Sequence, residues 1–213
     1  MKREIETEML AAKEAAALIR RRPSYSKMVV GLYLLSLFGL ERGRIMRSSY
    51  LPVRKVDDAL DGDAPNIKDP LVYARNLRNG IVEGKLGKSS EERLLQYSLE
   101  VLESKAKPYD DPRGDFVRAI DVIVYDHERA AQRRVLSAEE IEQYYRRAFD
   151  PVINITLLAI DSNLRSDDVP ALSYGQGRVY SARDFETDWE RGIINLPREI
   201  VSMAGLTPNS SFG

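Results

Sequence analysis

Two short patterns, Ser89-Ser-Glu-Glu92 and Ser137-Ala-Glu-Glu140, constrain this chain more than any others. In each, a serine that can cap a helix stands three residues ahead of a glutamate, and an apolar series follows. The rest of the sequence is built in the same way, with apolar residues at helical spacing between Pro and Gly punctuation. The spacing predicts helices over 4–22, 25–40, 41–60, 70–82, 89–105, 113–134, 137–161 and 173–194. Pro52 should kink or restart the third, Pro151 should kink or split the seventh, and Leu196-Pro197 should stop the last. The stretches 61–69, 84–88, 108–112 and 162–170 read as loops, and the tail 207–213 as frayed. No run alternates like a strand and no solenoid-length repeat occurs. The expected fold is all-α, one domain over residues 1–213, in a bundle of eight or nine helices.

Charge and residue usage then exclude several kinds of chemistry. Lys plus Arg is 32 and Asp plus Glu is 33, so no broad basic surface for nucleic acid is expected. Cysteine is absent and His127 is the only histidine, which removes disulfides, thiolate sites and multi-histidine metal sites within one chain. A hard cation held by carboxylates remains open. Neither a Gly-x-Gly-x-x-Gly stretch nor a phosphate-binding loop ending in Gly-Lys-Ser/Thr is present. The charged start, MKREIETEML, does not read as a secretory signal, and a cytoplasmic location is expected. The longest apolar run, 28–40, falls short of the roughly 18–20 residues that span a bilayer. It reads first as a buried helix, and second as a tunnel wall or a membrane-touching face.

The residues that invite a chemical reading are aspartates. Asp57 and Asp61 stand four apart, as do Asp184 and Asp188, which puts each pair on one helix face. Like charges at that spacing weaken an isolated helix. Solvent can offset the repulsion, and so can a divalent cation. Spacing alone leaves both open.

The flanking residues narrow the choice. Val53-Arg-Lys-Val-Asp-Asp-Ala-Leu-Asp-Gly62 resembles the first aspartate-rich motif of squalene and phytoene synthases, with Tyr50 where that family places a substrate-facing tyrosine. Ala182-Arg-Asp-Phe-Glu-Thr-Asp-Trp-Glu-Arg-Gly-Ile-Ile-Asn-Leu-Pro-Arg-Glu199 is similar to the second. The resemblance runs from about Ser24 to Leu206. It implies an isoprenoid-synthase-type bundle around a central apolar cavity. It implies Mg²⁺-dependent head-to-head condensation of two prenyl diphosphates, farnesyl or geranylgeranyl, with release of diphosphate, as in carotenoid and other terpenoid biosynthesis. Carried over, Asp57, Asp61, Asp184 and Asp188 would ligate Mg²⁺, and Asp58 would support them. Tyr50, Arg54 and Arg183 would meet the substrate diphosphate. A lipophilic product would bring peripheral membrane contact.

This chain departs from the family at three places. Gly177 and Tyr180 stand where the family has glutamine and a metal-binding asparagine. Phe149 and Pro151 occupy a stretch the family fills with small residues, and the usual C-terminal helices are missing after Leu-Pro-Arg-Glu. A homo-oligomer or a partner chain could close the cavity. A class I terpene synthase or hydrolase using one prenyl diphosphate is the alternative, as is a non-catalytic homologue serving in assembly. Outside the motifs, Arg20-Arg21-Arg22 reads first as a helix-end charge cluster and second as a diphosphate contact. Arg129, Arg133 and Arg134 read as a solvated face or a phosphate contact, His127 as structural or surface, and Trp189 as packing.

Overall fold

The computed structural model describes residues 2–211, among which there are ten α-helices and no strand. The helices are α1 (Lys2–Arg21), α2 (Ser26–Leu34), α3 (Leu40–Leu60), α4 (Pro70–Glu83), α5 (Ser90–Lys105), α6 (Pro112–Gln132), α7 (Ala138–Ala159), α8 (Pro170–Arg183), α9 (Phe185–Arg191) and α10 (Arg198–Met203). No helix is long and apolar enough to cross a membrane among the described residues.

Side chains cap four of the helix starts, those of α4, α5, α6 and α7. Asp69 and Asp111 accept from the backbone N–H of Val72 and Gly114, each just ahead of a proline that opens the helix. Ser137 and Glu140 close a full capping box on α7. At α5 the pattern is half realised: Ser89 accepts from the Glu92 N–H, while Glu92 reaches back to the Lys88 N–H instead. The α4 C-terminus ends on Gly84 in the left-handed region, where a side chain would be strained.

The long helix α3 runs through the middle of the bundle against α1, α4, α5, α6 and α7. Ile45 and Val56 of α3 meet Ile81 of α4, Leu95 and Leu102 of α5, Phe116 and Ile120 of α6, and Ala159 of α7. Such interdigitated apolar side chains supply most of the stability of a helical bundle. The prolines behave differently from expectation. α3 passes Pro52 and α7 passes Pro151 as single helices. Each proline costs the ladder one bond, and burial of Pro52 and Pro151 within the packed bundle offsets it.

Three other expectations need correction. The segment 25–40 is not a buried helix. α2 ends at Leu34, a 3₁₀ turn follows over Leu35–Phe38, and only Val29 and Leu32 are buried, while Leu37 is 80% and Phe38 73% exposed. Arg47 holds this segment from inside: 2% exposed, it donates to the Leu32 carbonyl and the Ser36 hydroxyl and pairs with Glu8. The helix expected over 173–194 breaks at Asp184, whose backbone (φ −100°, ψ 9°) both ends α8 and begins α9. The tail is tied down as far as Ser210, because the Trp189 indole donates to the Ser210 carbonyl (2.8 Å) and Arg133 to the Pro208 carbonyl (2.7 Å). Residues 212–213 lie outside the described residues.

Candidate active site

The C-terminal end of α3 gathers the first group of acids and a matching group of arginines. Asp58 is wholly buried and accepts from Arg54 Nε at 2.8 Å and from Arg21 Nη2 at 2.9 Å. Arg54 also pairs with Asp57. Arg22 reaches Asp61 at 3.4 Å and pairs with Asp63. The basic run at the end of α1 is therefore more than a helix-end cluster, since two of its three arginines neutralise the first aspartate motif. Tyr25 stacks on Arg54, 4.5 Å from its guanidinium carbon to the ring centroid. Tyr50 lies beside Arg54, and burial pushes its phenol well above the usual range.

Asp57 and Asp61 line a pocket of about 350 Å³. Its far wall is α6, through Ile123, Asp126, His127, Ala130 and Ala131, and its rim is Arg191 and Ile193. Arg191 donates to Asp61 at 2.8 Å. It lies three residues beyond Asp188, so this ion pair joins the two aspartate motifs, which the sequence separates by most of the chain.

The second motif is assembled in another way. Asp188 accepts from Asn195 Nδ2 at 3.2 Å. Asn195 in turn accepts from Arg129 at 2.8 Å, and Arg129 donates to Asp126 at 3.0 Å. Tyr144 also donates to Asp126, at 2.8 Å. Asp188 thus stands one layer behind the pocket wall, linked to Asp126 through an amide and a guanidinium. Arg129 is 2% exposed and lies 4.5 Å from the Tyr144 ring centroid, so it belongs to the interior and not to a solvated face. Asp184 and Arg183 sit apart from the pocket lining. Arg183 turns onto the carboxylate of its own neighbour Asp184 at 2.7 Å and over the Tyr180 ring at 4.3 Å. Of the expected site residues, Asp57 and Asp61 share the pocket, with Asp58, Arg54 and Tyr50 behind them. Asp188 is linked to it, and Asp184 and Arg183 are not brought in.

The electrostatics show where negative charge is unrelieved. Burial raises Asp57 to about 6, against the pull of Arg54, with Asp61, Asp58 and Asp126 adding to the rise. Burial raises Asp188 to about 7, with Asp184 and Asp126 adding and Asn195 and Arg191 opposing. Asp126 is likewise raised by burial, and Asp61 contributes. These acids sense one another across the pocket wall. Among the described residues, no three acidic or imidazole groups converge closely enough to hold a metal ion as they stand. The donors are nonetheless all carboxylate oxygens, the chemistry Mg²⁺ prefers, and Mg²⁺ keeps several waters and needs few protein ligands.

Sequence reasoning did not single out Asp126, gave Arg191 and Asn195 no role beyond their place in the second motif, and took Arg129 only as a solvated face or a phosphate contact. A signal existed for two of them. Asp126 and Arg129 continue the buried Ala119–Val122 stripe of α6 at three- and four-residue steps, placing an acid and a base where apolar side chains belong. The departures from the family also acquire a reason. A Cβ on Gly177 would fall 2.3 Å from the Tyr145 ring, so glycine is what lets α8 close on α7. Tyr180 packs on Phe149 with ring centroids 5.5 Å apart. Aromatic packing fills the place where the resemblance expects polar metal-binding side chains. Trp189 is buried among Val135, Phe185 and Leu196, in keeping with a packing role, and His127 is exposed at the pocket.

Searches for similar proteins return no matching family model, no matching curated protein and no matching solved structure.

Proposed function

We propose that this protein is a Mg²⁺-dependent prenyl transferase of the squalene/phytoene synthase type, acting on allylic prenyl diphosphates at the pocket between α3 and α6. The observation that carries the reading is the Arg191–Asp61 ion pair, which sets residues of both aspartate motifs on one pocket. Asp57 and Asp61, with Asp126 opposite and Asp188 behind, would hold the metal. Bound Mg²⁺ would neutralise the diphosphate leaving group as the allylic bond ionises.

The chain's own groups have distinct tasks in this reading. Arg54, Arg22 and Arg191 each pair with the acids now, and their forked donors suit diphosphate oxygens. Ionisation creates positive charge on the prenyl chain, and Leu60, Ile123, Ala130, Ala131 and Ile193 offer it a wall without water-binding groups. Tyr50, kept protonated by burial, can only act as a hydrogen-bond donor or acceptor at neutral pH. An isoprenoid-synthase-type bundle is the matching fold in this proposal.

Pocket size favours a second reading, in which one prenyl diphosphate is cyclised or hydrolysed. About 350 Å³ lies near the lower end of the roughly 300–1,000 Å³ range of ligand pockets. The test is product analysis by mass spectrometry after incubation with Mg²⁺ and either farnesyl or geranylgeranyl diphosphate. A C30 or C40 hydrocarbon, or its cyclopropyl diphosphate precursor, is the expected result. A C15 or C20 terpene or alcohol would establish the second reading. Intact diphosphates in every incubation would reject both.

A further inference from the structure

Two arginines from distant parts of the sequence close on one carboxylate. Asp61 accepts from Arg191 Nη1 at 2.8 Å and from Arg22 Nη2 at 3.4 Å, both through Oδ2. Both arginines also face Asp63, Arg22 in a direct pair and Arg191 at 4.0 Å. Arg54 pairs with Asp57 beside them. Guanidinium groups thus take up the carboxylate oxygens that a cation at the first motif would need. Among the described residues, no three acids converge on one point.

The three arginines are not equally free to leave. Arg54 has a side chain 13% exposed, pairs with Asp57 and Asp58, and stacks on Tyr25. Arg22 is 21% exposed and has Asp61, Asp63 and Tyr25 as partners. Arg191 is 40% exposed at the pocket rim, and among the described residues it hydrogen-bonds to Asp61 alone. An ion pair this exposed is held by little free energy. The backbone beneath it is fixed. Trp189 is buried, and Arg133 donates to the Trp189 and Glu190 carbonyls. Gly192, at φ 89°, lies so close to α6 that a Cβ there would fall 2.4 Å from the Ala130 carbonyl oxygen. α9 is a fixed stem, and the Arg191 side chain is the part that can swing.

We infer that Arg191 is a latch: it holds Asp61 against bare divalent cations and releases it when diphosphate arrives with the cation, exchanging the carboxylate for diphosphate oxygens. This latch presupposes the proposed diphosphate and Mg²⁺ site. The guanidinium fork meets carboxylate and phosphate oxygens alike, so the exchange trades one charge-assisted pair for another. A lone cation offers Arg191 only repulsion. Cation and diphosphate then bind cooperatively, each raising the affinity for the other.

Two equilibrium titrations of the full chain test the latch without turnover. One follows Mn²⁺ alone by electron paramagnetic resonance, and the other follows inorganic diphosphate by calorimetry at saturating Mg²⁺. Arg191→Gln should bind Mn²⁺ about tenfold more tightly than the wild-type chain and diphosphate about tenfold more weakly. Adding Asp61→Asn to Arg191→Gln should cancel the gain in Mn²⁺ affinity. Arg191→Lys, which keeps the charge without the fork, should bind Mn²⁺ like the wild-type chain and diphosphate more weakly. Mn²⁺ binding that is unchanged or weakened in Arg191→Gln overturns the latch. So does a gain that survives Asp61→Asn, or diphosphate binding that does not depend on Arg191. Opposite changes in the two affinities, with no turnover of farnesyl or geranylgeranyl diphosphate, would keep the latch and reject the reaction. Turnover with Mn²⁺ binding indifferent to Arg191→Gln would keep the reaction and reject the latch.

Discussion

The two aspartate motifs are close relatives in sequence and unlike in structure. The first sits on the last turns of a twenty-one-residue helix, and each of its acids is met by an arginine from α1, α3 or α9. The second straddles a break between α8 and a seven-residue helix. Its half-buried Asp184 pairs with the adjacent, exposed Arg183, and Asp188 has an amide partner. Identical spacing therefore yields a charge lattice around the buried Asp58 in one place and a lightly held carboxylate in the other. The lesson is that an i,i+4 pair says which side chains share a face, while the partners brought by other helices decide what the face can do.

The difference can be broken experimentally, beginning with stability. Asp58→Asn leaves Arg21 and Arg54 facing a neutral amide in the interior. It should cost about 3–5 kcal/mol by urea unfolding, the usual result of breaking a buried pair. Asp184→Asn removes a surface pair and should change stability by only about 0–1 kcal/mol. Equal effects from the two would erase the contrast.

Activity should divide the motifs less sharply. Asp57→Asn and Asp188→Asn are each expected to lower turnover about 100-fold or more, the scale seen when one group that stabilises transition-state charge is removed. Asp184→Asn should lower it less, because Asp184 lies off the pocket. A smaller effect is expected at the α7–α8 contact. Gly177→Gln, which restores the residue of the resembled family, must displace the Tyr145 ring and should cost about 1–3 kcal/mol in thermal unfolding. Tyr145→Ala in the same chain should recover part of that loss.

The smallest effect concerns pH. Asp188 is raised to about 7 in the folded state, so the native protein binds more protons than the unfolded chain between about pH 4 and 7. The contribution of this group to stability therefore falls as pH rises through that window and stays low above it. Asp188→Asn should melt higher than the wild-type chain at pH 8, and the gap should close towards pH 4. A gap that widens on acidification would show that Asp188 is a stabilising, not a strained, carboxylate.

Much of the fold was legible because local signals agreed with tertiary packing. Asp69-Pro70, Ser137-Ala-Glu-Glu140 and Gly84 bound their helices as their chemistry dictates. The prolines misled, because packing around Pro52 and Pro151 overrides a local preference that a peptide would obey. The segment 25–40 misled because hydrophobicity was read as burial, whereas the buried residue that organises it is a charge, Arg47. At the site, the aspartates and Arg54 could be found from their spacing and flanks. The linkage of Asp188 to Asp126 through Asn195 and Arg129 could not, since it joins four side chains from α6, α9 and the loop after it. Such contacts exist only once the helices are packed.

The claim that both motifs serve one site is tested most directly by calorimetric titration of inorganic diphosphate, with Mg²⁺ present, into the wild-type chain, Asp57→Asn and Asp188→Asn. The expected result is a single site in the wild-type chain and at least about tenfold weaker binding, or 1.4 kcal/mol, in both variants. Wild-type binding retained in Asp188→Asn, or no binding by the wild-type chain, would contradict it.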